Sequence, residues 1–261
     1  MTAAAWVSAL VVLDLQQGGI FAGKDCRGKP VWIPPIREPC RQPNPADVPR
    51  AVPVGEESVI ERMLPGQARL VWLITHRFAN NDGYGPLAVA RVLPGGIAVE
   101  SLGRLRGRTD RISFELWRVR QERVVVATAA SCTSAEQVED CPRATSLLID
   151  HAGHLIQPPL TLTDGRCVGE PHFELKQSDE ARLPSGELRR YAMTTTLGHD
   201  ARYIVVNEQI VVSEMDPAGQ GQMREIQRVD ADRFIHVDRG RFFTRQLPLW
   251  PRMVPLPSDA R

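Results

Sequence analysis

Three histidines are the first residues whose spacing suggests chemistry. His151 and His154 flank Ala152-Gly153 in a segment that reads as a tight hairpin, and His172 falls on a short strand downstream. Three imidazoles with an open fourth position would suit zinc, which could activate a water or polarise a substrate. Glu208 is the second candidate, because it interrupts an apolar row made by Ile204, Val206, Ile210 and Val212. A carboxylate in such a row needs a partner or a raised pKa. It is expected to pair with an arginine of a neighbouring strand, with a ligand role as the alternative. Ser131 and Ser185 lack the Gly-x-Ser-x-Gly elbow of a hydrolase nucleophile, and no glycine-rich phosphate loop occurs. No residue is assigned as catalytic, and no cofactor is expected.

Cysteine spacing points to bridges instead of a metal. Cys26, Cys40, Cys132, Cys141 and Cys167 contain no CxxC pair. Cys132 and Cys141 bracket the polar segment Thr-Ser-Ala-Glu-Gln-Val-Glu-Asp, which reads as a surface loop. A disulfide there would contribute roughly 2.7 kcal/mol on the chain-entropy view. Cys26 and Cys40 likewise flank a Pro-rich stretch, which makes them a second candidate pair with Cys167 left over. Such bridges persist in oxidising compartments, so a periplasmic or secreted location is expected, with a cytoplasmic one as the alternative.

One short stretch carries a resemblance. Ala9-Leu10-Val11-Val12-Leu13-Asp14-Leu15-Gln16 resembles the first strand of the isochorismatase-type cysteine hydrolases, where an apolar strand delivers a catalytic aspartate. The resemblance implies that Asp14 acts as general base to a nucleophilic cysteine, with a lysine assisting. It covers eight residues. Beyond them the sequence departs from the family, which is a parallel α/β fold with its cysteine at the start of a helix. Here no lysine lies between Lys29 and Lys176, and Cys167 sits in Asp-Gly-Arg-Cys-Val-Gly.

The elements that must position these residues read as strands. The chain has 261 residues, 43% of them hydrophobic, which is enough to bury a sizeable core without staples. Its 32 basic and 31 acidic residues balance to +1, so the whole chain offers no electrostatic footprint for nucleic acid or an anionic membrane. Nearly every cation is an arginine, and the arginines are scattered along the sequence. From Ala3 to Leu13 only Ser8 is polar. That run, within residues 1–23, reads either as a signal segment or as a strand with Val7, Ala9, Val11, Leu13 and Leu15 on one face. It is too short to span a bilayer.

Residues 24–65 form a Pro-rich segment with eight prolines between Pro30 and Pro53, followed by a short helix predicted over Gly55 to Leu64. From 66 to 250 the texture is one of short alternating runs parted by turn residues. Pro94-Gly95-Gly96, Gln121-Glu122 and Asp238-Arg239-Gly240 punctuate them, and residues 251–261 form a Pro-rich tail. The expected fold is all-β: a single antiparallel meander forming a barrel or a two-layer sandwich, with at most one short helix.

Function follows from that fold only as an expectation. The sequence suggests a non-catalytic binding or structural protein of the cell envelope or secreted space. Its expected partner is a small apolar ligand or an envelope protein, with no nucleic acid and no membrane span. The alternative is a hydrolase built on Asp14 with a cysteine, or on a histidine-held metal.

Overall fold

The computed structural model describes residues 1–16, 19–33, 40, 47–109, 111–130, 142–183, 186–215 and 223–254. Helix α1 (Ala3–Leu10) leads into a hairpin of β1 (Val11–Gln16) and β2 (Gly19–Asp25). Next come β3 (Arg50–Ala51), β4 (Val59–Met63), β5 (Ala68–Leu73), β6 (His76–Arg77), β7 (Gly83–Leu93) and β8 (Gly96–Gly107). Four strands follow: β9 (Ile112–Val119), β10 (Glu122–Ala130), β11 (Arg143–His151) and β12 (His154–Ile156). Then come β13 (Leu160–Leu162), β14 (Cys167–Gly169), β15 (His172–Glu174) and β16 (Lys176–Arg182). The chain closes with β17 (Leu188–His199), β18 (Ile204–Met215), β19 (Met223–Asp238), β20 (Arg241–Thr244) and helix α2 (Trp250–Met253).

The protein is all-β, with strands over 64% of it and antiparallel pairing dominant. One sheet of eleven strands runs β3-β6-β7-β8-β12-β11-β10-β9, with β4 and β5 joined through β7 and β15 on β11. It curls into a half-barrel. A second sheet of seven runs β14-β13-β20-β19-β18-β17-β16. The chain is therefore not one meander: β12 pairs parallel with β8, and β13 pairs parallel with β20. At the first of these junctions a Cβ on Gly103 would overlap the Leu155 carbonyl, so only glycine allows the strands to approach.

Burial on both faces explains why the central strands read as unbroken apolar runs. Val125, Ala127 and Leu148 face the inside of the half-barrel with Leu70, Trp72, Leu87 and Phe114. Their neighbours Val124, Val126, Leu147 and Ile149 face outward onto Ile204, Val206, Ile235 and Phe242 of the second sheet. Trp72 and Phe114, from strands far apart in the sheet order, meet edge to face with centroids 6.5 Å apart within this core. Elsewhere the outer face is covered by Trp6, Val7 and Leu10 of α1.

Two local expectations need correction. Residues 3–10 are helical, not a strand. Thr2 caps them, its Oγ1 accepting from the Ala5 amide, and the alanines favour the helix. The i, i+1, i+4 spacing of Trp6, Val7 and Leu10 then puts all three against the sheet. Conversely, Gly55 to Leu64 is a single 3-10 turn over Glu56–Ser58 followed by β4, because Val59 and Ile60 pair with Leu73 and Trp72 of β5. Tertiary pairing overrides a weak helical preference. Among the described residues, no helix is long and apolar enough to cross a membrane.

Candidate ligand-binding cleft

A cleft of about 990 Å³ lies over the inner face of the half-barrel. Strand register builds the floor. Ile112, Ala129, Ala144 and Glu174 are successive cross-strand partners on β9, β10, β11 and β15. Phe114, Ala127, Ser146 and His172 form the adjacent row, of which Ala127, Ser146 and His172 line the cleft. The floor therefore grades from large apolar side chains, through four small ones, to polar groups. The small side chains at its centre leave the space that larger ones would fill.

Ser146 Oγ and His172 Nδ1 are in hydrogen-bond contact at 2.9 Å on this floor. Ser146 is buried and His172 is open to the cleft. The opposite wall carries Trp32, Ile33, Phe78 and Tyr84. His76 sits behind it, between the rings of Trp32 and Tyr84, with Thr75 Oγ1 at 2.9 Å from its Nδ1. Burial there lowers the His76 pKa below the ordinary histidine value. Arg106 lies 3.6 Å over the Phe78 ring, bonds Asp82 at 3.1 Å and pairs with Asp47. Arg108 reaches Asp82 at 3.5 Å.

The rim is electrically balanced. Among the described lining residues, Arg106, Arg108, Arg143 and Lys176 face Asp47, Asp82, Glu170 and Glu174. Such a cleft does not select for a strongly charged ligand. Cys40 also lines it and is bonded to Cys167 of β14, which ties the cleft wall to the second sheet.

The residues singled out by sequence are distributed differently from expectation. Cys40 bonds Cys167, so the Cys26–Cys40 bridge does not form and Cys26 is a free, exposed thiol. The physical reason is that Cys26 lies at the end of the β1–β2 hairpin, its amide held by Leu10, while β14 brings Cys167 to Cys40 from far along the chain. Cys132, Cys141, Ser131 and Ser185 lie outside the described residues. The three histidines do not converge. His151 and His154 are cross-strand partners, but His172 is aligned with Ser146, five residues from His151 along β11 and so about 17 Å away. Among the described residues, no cluster of three or more metal-ligating side chains exists.

Asp14 is an exposed residue of the two-stranded hairpin, paired with Phe21. Of the cysteines weighed as its nucleophile, Cys167 is bonded to Cys40, and Cys132 and Cys141 lie outside the described residues. Glu208 is 4% exposed and accepts from Arg233 Nη2 at 2.7 Å and from the Leu249 amide at 2.9 Å. It lies on the second sheet, away from the cleft lining. Arg233 is packed over Phe173, 5.4 Å from its centroid.

Sequence reasoning missed the cleft itself. Alanines 127, 129 and 144 carry no chemistry and no periodic signal, and only register places them beside Ser146. Comparison of the chain with protein families, with curated proteins and with solved structures gives no match.

Proposed function

We propose that the protein is a non-catalytic binding protein whose cleft takes a small, mainly apolar ligand with one polar, uncharged or zwitterionic end. The graded floor carries this reading: Ile112, Leu105 and Phe78 suit an apolar body, the small residues leave depth, and Ser146 with His172 offers hydrogen bonds to the polar end. Its volume falls at the upper end of small-molecule sites, and its balanced rim suits a ligand without strong net charge. The Cys40–Cys167 bond supports an oxidising compartment, periplasmic or secreted.

The test is binding of the neutral fluorophore N-phenylnaphthylamine, followed by its emission and by quenching of Trp32. Ala129→Phe should fill the floor and weaken binding by about tenfold or more with the melting temperature held. Trp32→Ala, at a half-buried position, should weaken it without filling the floor. Unchanged binding in both variants would refute the cleft as the site. A hydrolytic reading would rest on Ser146 as nucleophile and His172 as base. Turnover of a short-chain nitrophenyl ester that disappears in Ser146→Ala would replace the binding reading with that one.

A further inference from the structure

The second sheet has a solvent face whose composition changes along its strands. At the end formed by the β17–β18 and β19–β20 turns, four aromatic rings gather. His236 and Phe243 are stacked at 4.8 Å and 9°, Tyr203 meets His236 edge-on at 4.8 Å, and Phe234 lies 5.8 Å from Tyr203. Phe234 is 39% exposed. Around them stand Arg120, Arg202, Arg241 and Arg245, all exposed; the Arg202 cation acts on the Asp200 carboxylate and Arg241 lies across the strand pair from Asp238, while Arg120 and Arg245 have no carboxylate partner among the described residues. Arg120 is held beside this end by its amide, which bonds the Ala201 carbonyl at 2.8 Å. The positive field is felt locally: after burial, the cations of Arg120 and Arg245 are what depress the His236 pKa.

Two residues further along β19 the chemistry becomes that of hydroxyl recognition. Asn207 donates to Asp232 and Gln209 donates to Asp230, each at 2.6 Å, so both amides are fixed across the β18–β19 pair. Thr196 Oγ1 reaches Asn207 Oδ1 at 3.4 Å on the same face. Oriented amide and carboxylate groups offer donors and acceptors to polyols at fixed spacing.

We infer that this face binds an acidic polysaccharide, with the arginines taking its carboxylates and the Asn207–Asp232 and Gln209–Asp230 pairs taking its hydroxyls. Guanidinium forks match carboxylates two bonds at a time. A single-stranded nucleic acid fits less well, because the His236 and Phe243 rings stack on each other and those faces are not open to bases. This surface is separate from the cleft and does not depend on what the cleft holds.

The experiment is titration of the full chain with polygalacturonate, with dextran and oligothymidylate as parallel arms. Polygalacturonate should bind, dextran should not, and oligothymidylate should bind more weakly than polygalacturonate. Arg120→Gln with Arg245→Gln should weaken polygalacturonate binding about tenfold, as should raising the salt well above physiological strength. The side chains are exposed, and an unchanged circular dichroism spectrum checks that the variant is folded; Arg241→Gln alone gives a second, smaller loss. The inference is overturned by absent polygalacturonate binding, by equal binding of dextran, by tighter binding of oligothymidylate, or by variants that bind as the parent does.

Discussion

Arg233 donates to Glu208 at 2.7 Å, with both side chains only 4% exposed, and the same carboxylate accepts the backbone amide of Leu249 at the start of α2. One buried ion pair therefore joins β18 to β19 and anchors the terminal helix. The Nε of Arg233 has no partner among the described residues, so Glu208 supplies the compensation for a cation that burial would otherwise leave strongly disfavoured.

Glu208→Gln should cost about 3 to 5 kcal/mol, because it strands the Arg233 charge. In a chain of this size that is a fall in melting temperature of roughly 6 to 20 °C. Adding Arg233→Met should recover part of the loss. A melting temperature unchanged by Glu208→Gln would show that the pair contributes nothing to the fold.

Gly103→Ala should destabilise by about 2 to 4 kcal/mol, because the new Cβ meets the Leu155 carbonyl where β8 and β12 run parallel. Gly165→Ala supplies the contrast. Its backbone is left-handed at φ 85°, but no atom lies near the added carbon, so its cost is backbone strain of about 1 kcal/mol. Chemical denaturation of both variants decides whether close approach or backbone conformation matters more at these two glycines.

Stability should fall as pH drops below the ordinary histidine value of 6.5. His76 and His236 both have folded pKa values lowered mainly by burial, so the unfolded chain takes up protons first and protonation favours unfolding. The loss begins near the unfolded value and stops below the folded ones. His76→Phe should flatten the slope of melting temperature against pH, and His236→Phe should flatten the remainder. A slope unaltered in both variants would assign it to other groups.

Peptide mapping without reduction should recover Cys40 linked to Cys167. Removing that bond should cost about 2 to 5 kcal/mol, towards the upper end because 127 residues separate the two cysteines. Cys26 should alkylate in the folded protein, slowly at neutral pH, since burial and the adjacent Asp25 carboxylate raise its pKa. The same map tests the bridge expected between Cys132 and Cys141: a linked fragment supports it, and two free thiols there exclude it.

Local patterns were readable wherever a strand has one consistent environment. The alternation of Ile204, Val206, Ile210 and Val212 defines a buried face, and Pro94-Gly95-Gly96 marks the turn between β7 and β8. What failed was decided by distant partners. Val59 and Ile60 look helical beside Glu56 and Glu57 until β5 offers them a neighbour. Cys40 finds Cys167 only because β13 and β14 join the second sheet. Arginines that are scattered in sequence gather in space, since Arg120, Arg202, Arg241 and Arg245 come from four different turns or strand ends. The cleft was least readable, because it is made by small side chains meeting across strands.

The parallel pairing of β13 with β20 also sets an order of events during synthesis. Leu160 lies beside Phe242 and Leu162 beside Thr244, so β13 leaves the ribosome long before its neighbour exists. The half-barrel strands β4 to β12 precede it and can pair as they emerge, whereas β13 must wait for β20. Cys167 lies on β14, which is attached to that sheet through β13 alone. The covalent link to Cys40 therefore depends on a strand made some eighty residues after β13, since β20 is what fixes where Cys167 stands.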